Sequence, residues 1–265
     1  MNDLTSLTQA LKISSLEEIF EQVVAQVKEY PQNLKLREAL FKLYCVDGAW
    51  QKALLQLETL ALLEDGREKQ TELCKNLVFS EMQRVQVLHG ERQAATLQGD
   101  TPLWMQKLHD ANVQQYHGDV EQAEILRYEA FDLADETAGQ SALLGNFSWI
   151  ADSDGRLGPV CEFICAGGYR WVPFSSIQQL SVSPPDQLLD LLWVPATIKT
   201  GEEIYHGFIP ARYPVEKQEA QELKLGFKTE WSQLSDIFSP GRGRKVIITN
   251  LNEHSIMEVG DIVFG

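Results

Sequence analysis

Two carboxylates and a guanidinium crowd into one short stretch, WIADSDGRLGPV, residues 149–160. Asp152 and Asp154 stand one residue apart, Arg156 follows them and Trp149 precedes them. Carboxylates this close can share a divalent metal, and a nearby cation can then hold a nucleotide-sugar phosphate. The same residues can equally close a turn. Asp beside Gly hydrogen-bonds its own backbone, and an Arg can fork onto either carboxylate. Transferases of the first kind carry their acidic pair in a nucleotide-binding α/β domain. Here the pair follows an aromatic, strand-like stretch with no strand–helix alternation around it. An EF-hand register is excluded, because Arg156 falls at position 5, Leu157 at position 6 and Phe163 at position 12. A structural or interaction role is the preferred reading. A metal-dependent nucleotide-sugar transferase or hydrolase using Asp152 and Asp154 is the alternative.

Other chemistry has little local support. The histidines (His89, His109, His117, His206, His254) form no HExxH motif, and there is no Gly-x-Ser-x-Gly elbow or Walker loop. Cys45, Cys74, Cys161 and Cys165 form no CxxC pair and lack the histidines that would complete a zinc set. No catalytic residue, metal or cofactor is expected. SPGRGRK, residues 239–245, could offer amides and cations to a phosphate, but it runs into the strand-like VIIT and reads better as a turn. In GFIPARYP, residues 207–214, Arg212 and Tyr213 sit between two prolines. They fit a recognition edge, or a rigid strand exit where Tyr213 caps the core and Arg212 pairs internally.

The composition of the 265-residue chain, 44% hydrophobic and 23% charged, is that of a globular protein able to build a sizeable core. A net charge of −15 repels phosphate backbones and anionic lipid, so neither nucleic acid nor membrane is an expected partner. The opening MNDLTSLTQALKISS lacks a basic region followed by an apolar core, so no secretory signal is expected. No apolar run approaches the roughly 20 residues of a membrane helix. Free thiols in a reducing, cytoplasmic setting follow from the same pattern.

The elements that must position these residues change character near residue 138. Up to residue 135 the only prolines are Pro31 and Pro102, and glycines are few. Beyond it Pro, Gly and aromatic residues are frequent, which suits short strands and turns. In the first half Leu36, Leu40, Leu43 and Tyr44 make one helical stripe, and Ala53, Leu57 and Leu60 make the next, with Gly48 at the turn between them. The pattern Gly48-x-Trp50-x-x-Ala53 returns as Gly118-x-Val120-x-x-Ala123, and more weakly as Gly90-x-Arg92-x-x-Ala95. The outer copies are roughly 70 residues apart, about twice the 34-residue tetratricopeptide period. The small Ala lets the second helix approach the first, and the large residue fills the gap beside it. The second half offers strand candidates at 147–151, 160–165, 169–173, 177–182, 192–199, 204–211, 245–249 and 256–264. The predicted class is α+β: a tetratricopeptide-like helical array over 1–137, then a mostly antiparallel β-rich domain over 138–265. A small twisted barrel and a sandwich both remain open for the latter.

Taken together, LREALFKLYCVDGAWQKALLQLETL, WIADSDGRLGPVCEFICAGGYRWVPFSSI, DLLWVPATI, GFIPARYP and the late TEW resemble the ImpE/SciE family, also called TagJ, of bacterial type VI secretion clusters. The resemblance spans nearly the whole chain, and the WIADSDGRLGPV and FIPARYP blocks are its specific parts. It implies a cytoplasmic, non-enzymatic accessory protein associated with the contractile sheath, with no cofactor. It further implies binding to the N-terminal helix of the small sheath subunit, and a link to the hexameric AAA+ ATPase that disassembles spent sheaths. Trp149, Asp152, Asp154, Arg156, Arg212 and Tyr213 are the family-motif and candidate interaction residues. Gly48, Trp50, Ala53, Gly118 and Ala123 are the candidate repeat-packing residues.

Overall fold

A computed structural model describes residues 3–235 and 238–265. Seven helices come first: α1 (Asp3–Ile13), α2 (Leu16–Glu29), α3 (Leu34–Asp47), α4 (Trp50–Leu63), α5 (Glu68–Leu88), α6 (Leu103–His117) and α7 (Val120–Leu133). Strands follow: β1 (Gly139–Ser141), β2 (Gly145–Phe147), β3 (Ile150–Asp152), β4 (Val160–Cys165), β5 (Gly168–Pro173), β6 (Gln179–Val182), β7 (Trp193–Thr200) and β8 (Glu203–Pro210). A short helix α8 (Gln221–Lys224) leads to β9 (Thr229–Trp231), β10 (Gly241–Gly243), β11 (Val246–Thr249), β12 (Glu253–Ser255) and β13 (Asp261–Phe264).

The hairpins α3/α4 and α6/α7 form where the repeated pattern places them. Gly48 and Gly118 end α3 and α6 in the left-handed region, at φ of +73° and +86°, where a Cβ would be strained. Asn33 accepts from Leu36 N–H to start α3, and Asp119 accepts from Gln122 N–H to start α7. Ala53 and Ala123 are completely buried at the helix contacts, and Trp50 packs on Trp193 of β7 with ring centroids 6.1 Å apart.

The middle copy does not form a hairpin. Residues 91–102 lie outside the helices. Ala95 forms an isolated bridge with Arg170, and its carbonyl accepts from Trp171 N–H at 2.9 Å. The cause is β5, which ends the largest sheet and would otherwise present unpaired backbone groups along that edge. A second departure is the span 147–151, which breaks between β2 and β3. A third is 256–264, where Ile256–Glu258 is a 3-10 turn before β13. A fourth is SPGRGRK, of which Gly241–Gly243 is a short strand paired with β9.

The largest sheet runs β2-β1-β13-β6-β7-β8-β4-β5, and every pairing is antiparallel. Smaller sheets order as β12-β11-β3 and β10-β9. Alternation along β4 sends Val160 and Ile164 into one apolar cluster and Cys161 and Phe163 into another. The first cluster joins Val46, Leu57, Val78 and Met105 of the helices to Trp171 and Trp193 of the sheet. The second collects Phe147 of β2 and Val172 of β5. Those strands end the sheet at opposite sides, so the sheet must curl for both to reach one cluster.

Candidate functional site

β4 places Glu162 between Val160 and Ile164, on the face that meets the helices. It is the hub of a buried charge network. Arg84 of α5 donates from Nε and Nη2 to Glu162 Oε1 and Oε2 at 2.7 and 2.8 Å. Lys245 Nζ pairs with Glu162 Oε2 at 2.7 Å and also with Asp152 Oδ2. The Tyr169 hydroxyl donates to Glu162 and accepts from Trp171 Nε1. Arg84 Nη1 reaches Glu81 Oε2 at 3.3 Å and the Arg212 carbonyl at 3.0 Å, while Trp193 Nε1 donates to Glu81 at 2.9 Å.

Asp152 and Asp154 belong to this interior. Asp152 Oδ1 accepts from the Tyr213 hydroxyl at 3.0 Å and from Asp154 N–H at 2.9 Å. Asp154 accepts a fork from Arg156, Nε at 2.9 Å and Nη2 at 2.6 Å, together with the backbone N–H of Arg156 and of Gly241. Burial pushes Asp152 up to about 6 even though Lys245 favours its charge, since that cation is shared with Glu162. Burial also opposes charge on Glu162, but Arg84 and Lys245 outweigh it and hold the carboxyl well below the usual carboxylate range. For Asp154 burial is likewise outweighed, by Arg156 and the two amides, and the carboxyl titrates below its ordinary value.

The alternative built on Asp152 and Asp154 therefore fails on geometry. A metal–nucleotide site needs both carboxylates converging on an open space. Here each oxygen is already engaged by a cation, a hydroxyl or an amide. Among the described residues no group of three or more His, Cys, Asp or Glu is arranged to hold a metal ion. The thiol of Cys161 faces an apolar cluster, and burial pushes it up to about 12.

Arg212 and Tyr213 follow the strand-exit reading. Arg212 donates to the carbonyls of Cys45 and Val46, each at 2.7 Å, and to that of Lys224. It thus cements the last turn of α3 to α8, a favoured place for a cation at a helix C-terminus. Burial lowers its pKa to about 10. Tyr213 is sealed against Trp231 and beneath Lys245, and neither residue forms a free edge. Among the motif residues Trp149 and Arg156 are partly exposed, Arg156 while forked onto Asp154. The cations of SPGRGRK are also committed: Arg242 to Glu230 at 3.2 Å, Arg244 to the Gly226 carbonyl at 2.7 Å, and Lys245 to the network.

Sequence reasoning passed over Arg84, Glu81 and Glu162. Their local signal is that Glu81 and Arg84 fall on the helical stripe of Leu77 and Leu88, and that Glu162 shares the alternate face of Val160 and Ile164. It also passed over Arg127, fully buried on α7, which donates to the Gly155 carbonyl at 2.8 Å and to Asn112 at 3.2 Å and stacks on Phe238 at 4.0 Å.

Two open concavities lie at the surface, of which the second borders the network at Asp152. One, of ≈980 Å³, lies among α1, α2 and α3, with Leu7, Ile19, Val23 and Leu36 in its wall. Its polar margin is mixed rather than purely acidic, because Lys42 pairs with Glu38 at 3.6 Å. The other, of ≈350 Å³, lies between the C-terminal end of α7 and β3.

The fold and the site define an α+β protein whose helices are held to the curled sheet by the buried Arg84–Glu162 pair, with open grooves at its surface. A family model described as ImpE protein matches residues 145–263. A Pseudomonas aeruginosa protein named "Type VI secretion system accessory component TagJ" is 31% identical over 261 residues, covering 97% of this chain and 90% of that one. The chain belongs to the ImpE family. A Vibrio parahaemolyticus protein solved by X-ray crystallography shares the fold, with a TM-score of 0.89 and 25% identity over 98% of this chain and 97% of that one.

Proposed function

We propose that this protein is a cytoplasmic, non-enzymatic accessory component of a bacterial type VI secretion apparatus. The observation that carries the reading is the near full-length relationship to the Pseudomonas aeruginosa accessory component. Its partner in this reading is the small sheath subunit, whose amphipathic N-terminal helix would lie in the groove among α1, α2 and α3. An apolar wall of Leu7, Ile19, Val23 and Leu36 suits the apolar face of such a helix. A link to the AAA+ ATPase belongs to the same proposal. The chain divides into a helical part, 1–137, and a β-rich part, 138–265, that act as one body. Arg212 serves from inside by fixing α3 to the β-rich part, and Asp152, Asp154, Arg156 and Tyr213 by tying segments of the β-rich part to one another. Gly48, Trp50, Ala53, Gly118 and Ala123 set the hairpins that wall the helical surface.

Pull-down of the small sheath subunit by this protein, with and without that subunit's N-terminal helix, tests the reading. Capture that needs the helix supports it. Equal capture without the helix overturns the mechanism.

A further inference from the structure

One edge of β3 is paired and the other is open. β3 has β11 on one side only. Ser153 N–H donates to the Val246 carbonyl at 3.0 Å, so Ser153 and Ala151 turn their backbone groups toward β11. Ile150 and Asp152 have the opposite parity and turn theirs away. Asp152 N–H accordingly donates to Gly158 across the turn, at 2.7 Å. The N–H and C=O of Ile150 turn away from β11 toward the groove that the residue lines, at whose floor Ile150 keeps 4% exposure.

The outward side is the ≈350 Å³ groove between β3 and the end of α7. Phe131, Ala134 and Trp149 supply its apolar lining. Asp135 and Glu136 stand exposed at its rim, Asp132 stands exposed one turn earlier, and among the described residues no Lys or Arg lines it. Ser153, also in the lining, has a buried hydroxyl with no hydrogen-bond partner.

We propose that this groove captures an extended, basic segment of a protein partner, which adds a strand to β3. Backbone groups of the segment would pair with Ile150, its apolar side chains would cover Trp149 and Phe131, and its Lys or Arg residues would meet Asp135 and Glu136. A short open edge beside an apolar floor is how strand addition obtains both affinity and register. The negative rim selects the charge of the segment and speeds its encounter. This goes beyond the helix-binding reading: the face, the backbone conformation of the guest and the residues are all different, so either can fail alone.

The test uses the full chain and a capped, fluorescent heptapeptide of alternating lysine and valine, read by anisotropy. Two further probes carry N-methyl groups on one or the other alternate set of amides. Saturable binding is expected, with about tenfold or greater loss for one methylated probe and retention for the other. Asp135→Lys with Glu136→Lys, an exposed pair whose reversal leaves Tm unchanged, should cost about tenfold or more as well. No saturable binding up to millimolar probe overturns the proposal. So does equal binding of both methylated probes, or a rim reversal without effect.

Discussion

Arg84 and Glu162 lie 78 residues apart in sequence and meet in two parallel hydrogen bonds of 2.7 and 2.8 Å, with neither side chain exposed. The pair joins the long helix α5 to β4, the strand beside the edge of the largest sheet. Removing one member leaves the other charged and dry, which typically costs about 3–5 kcal/mol. Arg84→Met and Glu162→Leu should each lose that much in urea unfolding. The double variant should lose clearly less than their sum, giving a coupling of about 1 kcal/mol or more. Additive losses would mean that the two residues act separately.

The two carboxylates that share Lys245 should respond to pH in opposite directions. Glu162 is depressed in the folded state, so its contribution is present above its ordinary pKa and fades as pH falls toward the folded value. The stability gap between wild type and Glu162→Gln should therefore shrink on acidification below about pH 4.5. Asp152 is raised to about 6, so folding takes up a proton there between its ordinary value and 6. Wild type should lose stability relative to Asp152→Asn as pH rises through that window, by at most about 1.4 kcal/mol per pH unit. Urea midpoints for the three proteins across about pH 2.5 to 8 give both slopes, and slopes of equal sign would contradict the assignment.

Arg212 should resist conservative replacement. Its planar fork reaches the carbonyls of Cys45, Val46 and Lys224 together, which the single ammonium of a lysine cannot reproduce. Arg212→Lys should lose about 2–3 kcal/mol, in the range of charged hydrogen bonds left unmade. Native-state proteolysis should then rise around α8, whose docking depends on that contact. An unchanged cleavage pattern would place the docking elsewhere.

Gly158 should accept no side chain. It has a φ of +52°, and an added Cβ would stand 2.5 Å from Phe131 Cε1. Gly158→Ala should lower stability by about 1–3 kcal/mol, combining left-handed strain with overpacking. Trimming Phe131 to Ala in the same chain should relieve the overpacking and leave the strain, so its cost on the Gly158→Ala background should be smaller than on wild type. Thermal unfolding of the four proteins reads this directly.

Much of the architecture is legible in local patterns. Gly48 and Gly118, each followed by an inward Ala, announce the α3/α4 and α6/α7 hairpins because only a few neighbouring residues decide such a turn. Alternation announces β4, β5, β7 and β8 for the same reason. The Gly90 copy looks alike in sequence and folds otherwise, because the edge of β5 takes Ala95 as its partner. That competition is between segments far apart in the chain, and no local window contains it.

The sequence by itself determined the α+β order, the hairpin turns, the strand periods and the family motif, all of which rest on spacing over a few residues. Only the tertiary structure decided what the motif does. Asp152 and Asp154 look alike on paper, yet one leans on Lys245 and Tyr213 and the other on Arg156 and Gly241. Strand parity and the curl of the sheet bring Lys245, Tyr213 and Gly241 in from distant segments, whereas Arg156 is a local partner two residues on. Charges taken out of water must find opposite charges or donors wherever packing delivers them, so their partners are a property of the packed molecule.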